Sequence, residues 1–254
     1  MGIAGMDRPE YGNWVSARLL FATGGMRLLL GLCSMFFPAL AVFALLCLAL
    51  FVYFAYARSR FSSRGGNLQA RIRSLVLDHL GSQNPGRVLD VGSGSGALAI
   101  AIAKAFPGAQ VTGVDTWGSG WEYSRMVCER NAQLEGVAGH VVFQKASASS
   151  LPFEEGAFDT VVSNLVFHEV SDVKDRKELL HEALRVVRKG GAFVFQDLFL
   201  WKRAFGEAED LLAAMRGWGI ERAELIRTCD SEFIPRPLRL PFMVGALVIL
   251  KGTK

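Results

Sequence analysis

The 254-residue sequence has four cysteines, four histidines and eight prolines, and these shortages narrow what the chain can be. Cys33, Cys47, Cys128 and Cys229 are widely spaced, without a Cys-x-x-Cys pair or a histidine at ligand spacing. No zinc site and no metal ligand is expected from such spacing. Cys33 and Cys47 lie among apolar neighbours and read as packing residues, and no disulfide framework is expected. Charge is scarce too: Asp, Glu, Lys and Arg are 20% of the chain, and the run from Leu28 to Tyr56 has none. The net charge of +4 comes without a basic stripe interleaved with aromatics, which argues against a nucleic-acid partner. Arg185, Arg188 and Lys189 read as cations at a helix C-terminus.

What is present is concentrated at the N-terminal end. From Leu19 to Tyr56 the chain is almost wholly apolar, interrupted by Arg27, glycines and Pro38. A single helix from Leu28 to Tyr56 would run roughly 43 Å, more than a hydrocarbon core of about 30 Å. Two helices, Val15 to Phe37 and Ala39 to Tyr56, fit better as a hairpin, with a single tilted span after Arg27 as the alternative. Residues 1–60 are therefore read as an N-terminal transmembrane segment. Tyr11, Asn13 and Trp14 ahead of it suit a headgroup layer. Arg58, Arg60 and Arg64 behind it place the following domain on the cytoplasmic side of the membrane. The apolar stretch is too long for the core of a signal peptide. Ser62, Ser63, Gly65 and Gly66 read as a flexible link.

Residues 61–254 show strand and helix patterns in alternation. Strands are predicted near 87–92, 110–115, 140–144, 159–164, 191–197, 222–228 and 243–250, with helices in the gaps. The fold class is α/β: a doubly wound seven-stranded sheet, mostly parallel, whose last strand is antiparallel. Leu68 to Leu80 should be a helix packing on the sheet through Ile72, Leu75, Val76 and Leu80.

The most informative stretch is Arg87 to Ile100, where an apolar strand runs into Gly92, Gly94 and Gly96 and then into a helical pattern. Glycines let the backbone turn sharply and approach a ligand closely, and the helix N-terminus favours an anion. Gly92-x-Gly94-x-x-Ala97 also fits a dinucleotide fingerprint, so a NAD-binding reductase stands as one reading. Two acids point elsewhere. Asp90, two residues before the first glycine, suits an α-ammonium group better than a pyrophosphate. Asp115 ends the second strand, placed to accept from both ribose hydroxyls. S-adenosyl-L-methionine (SAM) has both ends.

Five segments in order resemble the class I SAM-dependent methyltransferases, over roughly Leu68 to Lys254. Asp-Val-Gly-Ser-Gly-Ser-Gly is similar to that family's first motif, and Val-Thr-Gly-Val-Asp115 to its second. Ala148-Ser-Ser-Leu-Pro-Phe153 is similar to the segment carrying adenine contacts, Phe158-Asp-Thr-Val-Val-Ser-Asn164 to the fourth strand, and Leu184-Arg-Val-Val-Arg-Lys-Gly-Gly191 to the helix and turn before the fifth. Relatives of the quinone C-methyltransferase kind carry Asp where this chain has Ser147. The resemblance implies a Rossmann-like domain that holds SAM through Asp90, Gly92, Ser93, Gly94, Gly96, Asp115, Thr116, Ser147, Ala148 and Asn164.

In an open α/β sheet the ligand lies beyond the carboxyl ends of the strands. His168, just past the fourth strand, is the candidate catalytic base, or a residue that holds its loop beside Glu169. His79 and His181 fall on helices and read as structural. Asn164 lacks the Pro-Pro-Tyr continuation that resembles base amino-methylases. Leu198 to Arg203 and Arg236 to Pro241 combine apolar residues with cations, suggesting either a pocket mouth at a bilayer or a packed lid. Trp117 and Trp121 suit a pocket wall or an adenine stack. The expected function is a membrane-anchored SAM-dependent methyltransferase of a small lipophilic molecule or lipid headgroup. The alternatives are methylation of a soluble nucleophile such as a thiol, a NAD-binding reductase, and a non-catalytic SAM-binding module. The oligomeric state is open.

Overall fold

A computed structural model of the protein describes residues 8–81, 84–118, 123–220 and 222–254. The chain forms two compact units, Asn13–Ile72 and the segment up to Gly12 together with Arg73–Lys254.

In the first unit the apolar stretch folds as α1 (Ala17–Cys33) and α2 (Leu40–Phe61), packed on each other. The turn between them starts earlier and ends later than Pro38 alone predicts, and Pro38 lies just ahead of α2 rather than in its first turn. Ser16 caps α1 by accepting from the Arg18 amide. The open end of the pair is tied by Asn13, whose Nδ2 donates to Arg58 O at 3.0 Å, and by the Arg58 guanidinium donating to Val15 O. Trp14 packs its ring 5.6 Å from that of Phe61. Sideways, however, the pair is bare: α1 has no buried residue and α2 only Ala57 and Phe61. Leu28, Phe36 and Leu45 are 64%, 81% and 65% exposed. Helix α2 is long and apolar enough to cross a membrane, whereas α1 has 17 residues, a rise of about 25 Å. The residues after α2 are an ordered turn rather than a flexible link. Gly65 and Asn67 amides donate to Ser62 O, and a Cβ on Gly65 would lie 1.9 Å from Ser59 O.

The boundary between the units falls inside α3 (Leu68–Leu80), after which the second unit builds a sheet. Its elements are β1 (Arg87–Val91), α4 (Ala97–Ala105), β2 (Gln110–Asp115), α5 (Arg125–Leu134), β3 (Val141–Lys145) and β4 (Phe158–Asn164). There follow α6 (Lys177–Arg185), β5 (Val187–Asp197), α7 (Lys202–Phe205), α8 (Ala208–Gly217), β6 (Arg222–Arg227) and β7 (Val248–Thr253). Strand order is β3-β2-β1-β4-β5-β7-β6, with β7 antiparallel to both neighbours and the remaining pairs parallel. Successive strand residues face opposite sides, and the core divides accordingly. Val88 joins Val76, Ile102 and Cys128 from α3, α4 and α5; Leu89 and Val91 join Leu180, Leu184, Leu211 and Met215 from α6 and α8.

Three sequence expectations differ from this arrangement. No helix fills residues 146–157 between β3 and β4; that crossover is a turn segment held by Arg185, which donates to Leu151 O and Phe153 O. Strand β5 starts at Val187, inside what reads as a helix end, because its apolar residues pair with β4 from Phe158 on. Strand β7 starts at Val248, and Phe242–Gly245 form turns instead.

Candidate active site

The order of strands reverses between β1 and β4, and the crevice beyond their carboxyl ends is where an open sheet binds ligands. The loop after β1 has its three glycines at φ values of 75°, 55° and 79°, a region that side chains adopt at a cost. At Gly92 the close approach is decisive: a Cβ would lie 2.2 Å from Val166 Cγ2, so the glycine lets the loop after β4 lie against the loop after β1. Gly96 ends the loop as the N-cap of α4. Ser93 is buried, its Oγ donating to Val114 O at 3.2 Å.

The two acids hold different positions. Asp115 stands at the tip of β2, accepting from Gly94 N at 2.9 Å through Oδ2 and from Trp117 N at 2.7 Å through Oδ1. A carboxylate has about four acceptor positions, so two remain for a vicinal diol. Trp117 also donates its indole N–H to Gly94 O at 2.9 Å, while Thr116 is exposed and Trp121 lies outside the described residues. Asp90 is only 1% exposed, with Oδ2 accepting from Ala99 N at 3.2 Å. Burial raises its pKa to about 7, the Ala99 amide opposes, the charge of Asp115 raises it further and Arg73 lowers it. A buried carboxylate with one amide donor and no ion pair among the described residues favours a cationic ligand.

The other groups gathered here carry no site role in the sequence reading. Arg73 lies 5.8 Å from the ring of Tyr11 and forms no ion pair among the described residues. Tyr11, expected at a headgroup layer, instead donates its hydroxyl to Glu135 at 3.1 Å, and its carbonyl accepts from Ser95 Oγ. Asn131 fastens the same segment through Glu10 N and O, both at 2.8 Å. Cys128 donates to Gly94 O, and burial pushes its thiol up to about 12, so it is a packing group.

At the tips of β4 and β5 the candidate base has a partner. His168 Nδ1 is 2.6 Å from Asp197 Oδ1, and Asp197 Oδ2 accepts from the amides of Val166 and His168. Asp197 is fully buried and His168 keeps 15% side-chain exposure. Desolvation alone would depress the imidazole pKa, but the charge and hydrogen bond of Asp197, with Glu169 nearby, outweigh it and leave the pKa raised. With Nδ1 bonded to the buried carboxylate, Nε2 is the ring nitrogen left for the proton, facing Glu169 Oε1 at 3.7 Å. Asn164 and Gln196 are register partners at these tips, and the carbonyl oxygens of both side chains are buried without a hydrogen-bond partner. At the tip of β3, Ser147 Oγ and Ser149 Oγ both contact Asp172 Oδ2, and Ala148 is buried.

Other expectations shift. Leu198 and Phe199 are buried in the core, as is Leu238, so these are packing residues; Trp201, Leu240 and Phe242 stay exposed. Arg239 is committed to Ile234 O and Ser231 O. His79 bonds Leu75 O along its own helix, and His181 packs 4.9 Å from Trp218.

The residues fit SAM: an acid for an ammonium, a diol acceptor, a glycine bend and unmet acceptors lie on adjoining strand tips. The fold is a Rossmann-like α/β fold whose strand tips carry a site suited to SAM. Residues 89–195 match the family described as "Methyltransferase domain". Among curated relatives, the demethylmenaquinone methyltransferase of Thermus thermophilus is 34% identical over 136 residues, covering 54% of this chain and 57% of that protein. The ubiquinone/menaquinone biosynthesis C-methyltransferase of Desulfotalea psychrophila is 31% identical over 50% of this chain and 47% of its own. The chain thus spans about half the length of the curated relatives it matches. Among solved structures, geranyl diphosphate C-methyltransferase from Streptomyces coelicolor superimposes with a TM-score of 0.57 at 17% identity, over 74% of this chain and 80% of that one. Residues 89–195 are therefore similar to a methyltransferase domain, and this similarity supports SAM rather than NAD as the ligand of the glycine loop.

Proposed function

We propose that this chain is a membrane-anchored SAM-dependent methyltransferase acting on a small lipophilic acceptor, with its catalytic domain on the cytoplasmic side. The observation that carries the proposal is the apolar pair α1 and α2, two helices with almost nothing buried, in one chain with a methyltransferase domain. Such surfaces in water are an aggregation hazard, whereas in lipid they are solvated. Arg58, Arg60 and Arg64 at the end of α2 suit anionic cytoplasmic headgroups. The names of the relatives, demethylmenaquinone and ubiquinone/menaquinone methyltransferases, agree with a lipophilic acceptor.

In the mechanism, bound SAM supplies an activated methyl group. Asp115 would hold the ribose hydroxyls and Asp90 the ammonium, with Arg73 the cation available to a carboxylate. His168 Nε2 would take the proton that the acceptor loses, and Asp197 would keep the ring oriented and stabilise its charged form. The loop after β4, fastened to Asp197, keeps that nitrogen in place.

The test is product profiling with methyl-labelled SAM against a membrane extract and against soluble thiols, using the full chain. Label in the lipid phase is expected. Label confined to the aqueous pool would select the thiol reading, and absence of turnover with intact SAM binding would select a non-catalytic module.

A further inference from the structure

Resting on the membrane reading above, we infer that the catalytic domain has a second lipid contact of its own. The turn after β5 and the turn before β7 set Trp201, Leu240 and Phe242 into the headgroup layer of an anionic bilayer, at the rim of the crevice.

Single apolar side chains on a surface are ordinary, but a cluster on two joined turns is not. Trp201, Leu240 and Phe242 are 43%, 38% and 66% exposed. Asp197 and Val248 are register partners, so the chain leaves β5 and enters β7 at the same end of the sheet. Beyond that pair Leu200 N donates to Ala246 O at 3.3 Å, and the amides of Met243 and Gly245 both donate to Leu240 O. A Cβ on Gly245 would lie 2.3 Å from Arg239 O, so this turn closes on itself tightly. Underneath, Phe199, Leu238 and Val244 are buried. The exposed side chains thus stand on a backbone that is already ordered, and inserting them costs little further entropy.

Charge and position select the occupant. Arg203 and Arg236 are exposed and form no ion pair among the described residues, whereas Lys202 Nζ lies 2.7 Å from Glu207. Of the acids nearby, Asp230 is held by Arg227, and Glu209 and Asp210 lie in the first turn of α8. An indole beside unpaired guanidiniums suits the interface of an anionic membrane. Helix α2, long and apolar enough to cross a membrane, would keep a bilayer tethered to the same chain at high effective concentration. The place also serves the chemistry. Asp197, whose Oδ1 is 2.6 Å from His168 Nδ1, ends the strand that leads into the first of these turns. A lipophilic acceptor entering there would pass from the headgroup layer toward the imidazole without crossing bulk water.

The experiment uses the full chain in vesicles of phosphatidylcholine and phosphatidylglycerol whose upper acyl chains carry bromine, a contact quencher of indole. Subtracting the emission of Trp201→Phe from that of wild type isolates Trp201. That emission should shift to the blue on reconstitution and fall by about half when brominated lipid replaces plain lipid, as for a side chain held roughly 5–10 Å deep. In the Trp201→Phe background, Phe242→Trp moves the reporter to the other turn and should be quenched alike. Quenching at both positions should weaken in phosphatidylcholine alone, and no change there overturns the role given to Arg203 and Arg236. Emission typical of an indole in water, at either turn, overturns the inference. So does a blue-shifted emission that bromine leaves unchanged, because protein then covers the surface. Either result leaves the anchor standing as long as the chain floats with the vesicles. If the chain does not float with them, the membrane reading itself fails.

Discussion

Helices α2 and α4 are both built almost entirely of apolar residues, yet they meet opposite fates. In α4, six of nine residues are buried, among them Leu98, Ile100 and Ile102. In α2, two of 22 are. Composition does not separate them; partners do. Helix α4 packs on β2, β3 and α5, whereas α2 packs on α1. A helix that is apolar all round needs an apolar surrounding on every side, supplied either by protein or by lipid. Under the proposed membrane reading, α2 is the helix whose surroundings would be lipid.

The strongest way to break it is to place the same charge in each helix. Ile100→Asp buries an unpaired carboxylate at a site 1% exposed and should cost more than about 4 kcal/mol, enough to abolish the cooperative thermal transition. Leu45→Asp, at a site 65% exposed, should leave that transition within about 0.5 kcal/mol while reducing co-flotation with vesicles roughly 100-fold. Equal damage from both substitutions would mean that α2 is buried against protein.

Within the domain, the next largest effect concerns His168 and Asp197. His168→Ala should lower kcat by about 10²- to 10⁴-fold with little change in SAM binding. Asp197→Asn should lower it as well and also shift the pH profile. Asp197 outweighs desolvation to raise the His168 pKa, and only the neutral ring accepts a proton, so the wild-type rate should climb with pH through a midpoint above 6.5. Removing the carboxylate charge should move that midpoint down. The linked stability has the opposite sense: it is fully present below the unfolded imidazole value and is lost as pH rises through the folded one. A profile unaffected by Asp197→Asn would reduce the pair to loop packing.

A roughly tenfold effect per pH unit is expected from Asp90. Its folded pKa of about 7 lies above the model-peptide value, so this group's contribution is complete in acid and lost as pH rises toward 7. A ligand ammonium prefers the ionised carboxylate. Affinity for S-adenosylhomocysteine should therefore fall about tenfold per unit below pH 7, with proton release detectable by calorimetry in buffers of different ionisation heat. Flat affinity from pH 5 to 7 would remove Asp90 from ammonium binding.

What could be read from the sequence follows the same divide between local and tertiary causes. Asp90, Asp115 and the three glycines are legible because each is fixed by its distance from a strand end. Asp197 also ends a strand, at Phe195-Gln196-Asp197, but its role needs His168 from the neighbouring strand tip, and adjacency of β4 and β5 is a property of topology. Arg73, Tyr11 and Asp172 lie outside any motif and reach the site only through folding. Leu198 and Phe199 read in one dimension as either a pocket mouth or a packed lid, and only the turn after β5 shows that they are buried. The apolar stretch gives its helices but not their limits, because the residue after Cys33 is Ser34, which closes α1 through its amide and hydroxyl, rather than the glycine or asparagine that marks a helix stop in sequence.

The smallest expected effect tests whether ionic contacts follow the same rule of partners. Arg125 and Glu129 form an i,i+4 pair on α5 at 2.7 Å, with side chains 58% and 45% exposed. Water solvates both ends well and salt screens them, so Glu129→Gln should change stability by less than about 0.5 kcal/mol. Glu135, at the end of the same helix, is 21% exposed and accepts from both Lys104 Nζ and the Tyr11 hydroxyl. Glu135→Gln weakens two contacts at once, one of which holds the segment before Gly12 onto the domain. A loss nearer 1 kcal/mol is expected there, with faster amide exchange at residues 10–12. Equal small losses at the two sites would show that the Tyr11–Glu135 hydrogen bond adds nothing to the hold that Asn131 and Ser95 keep on the segment.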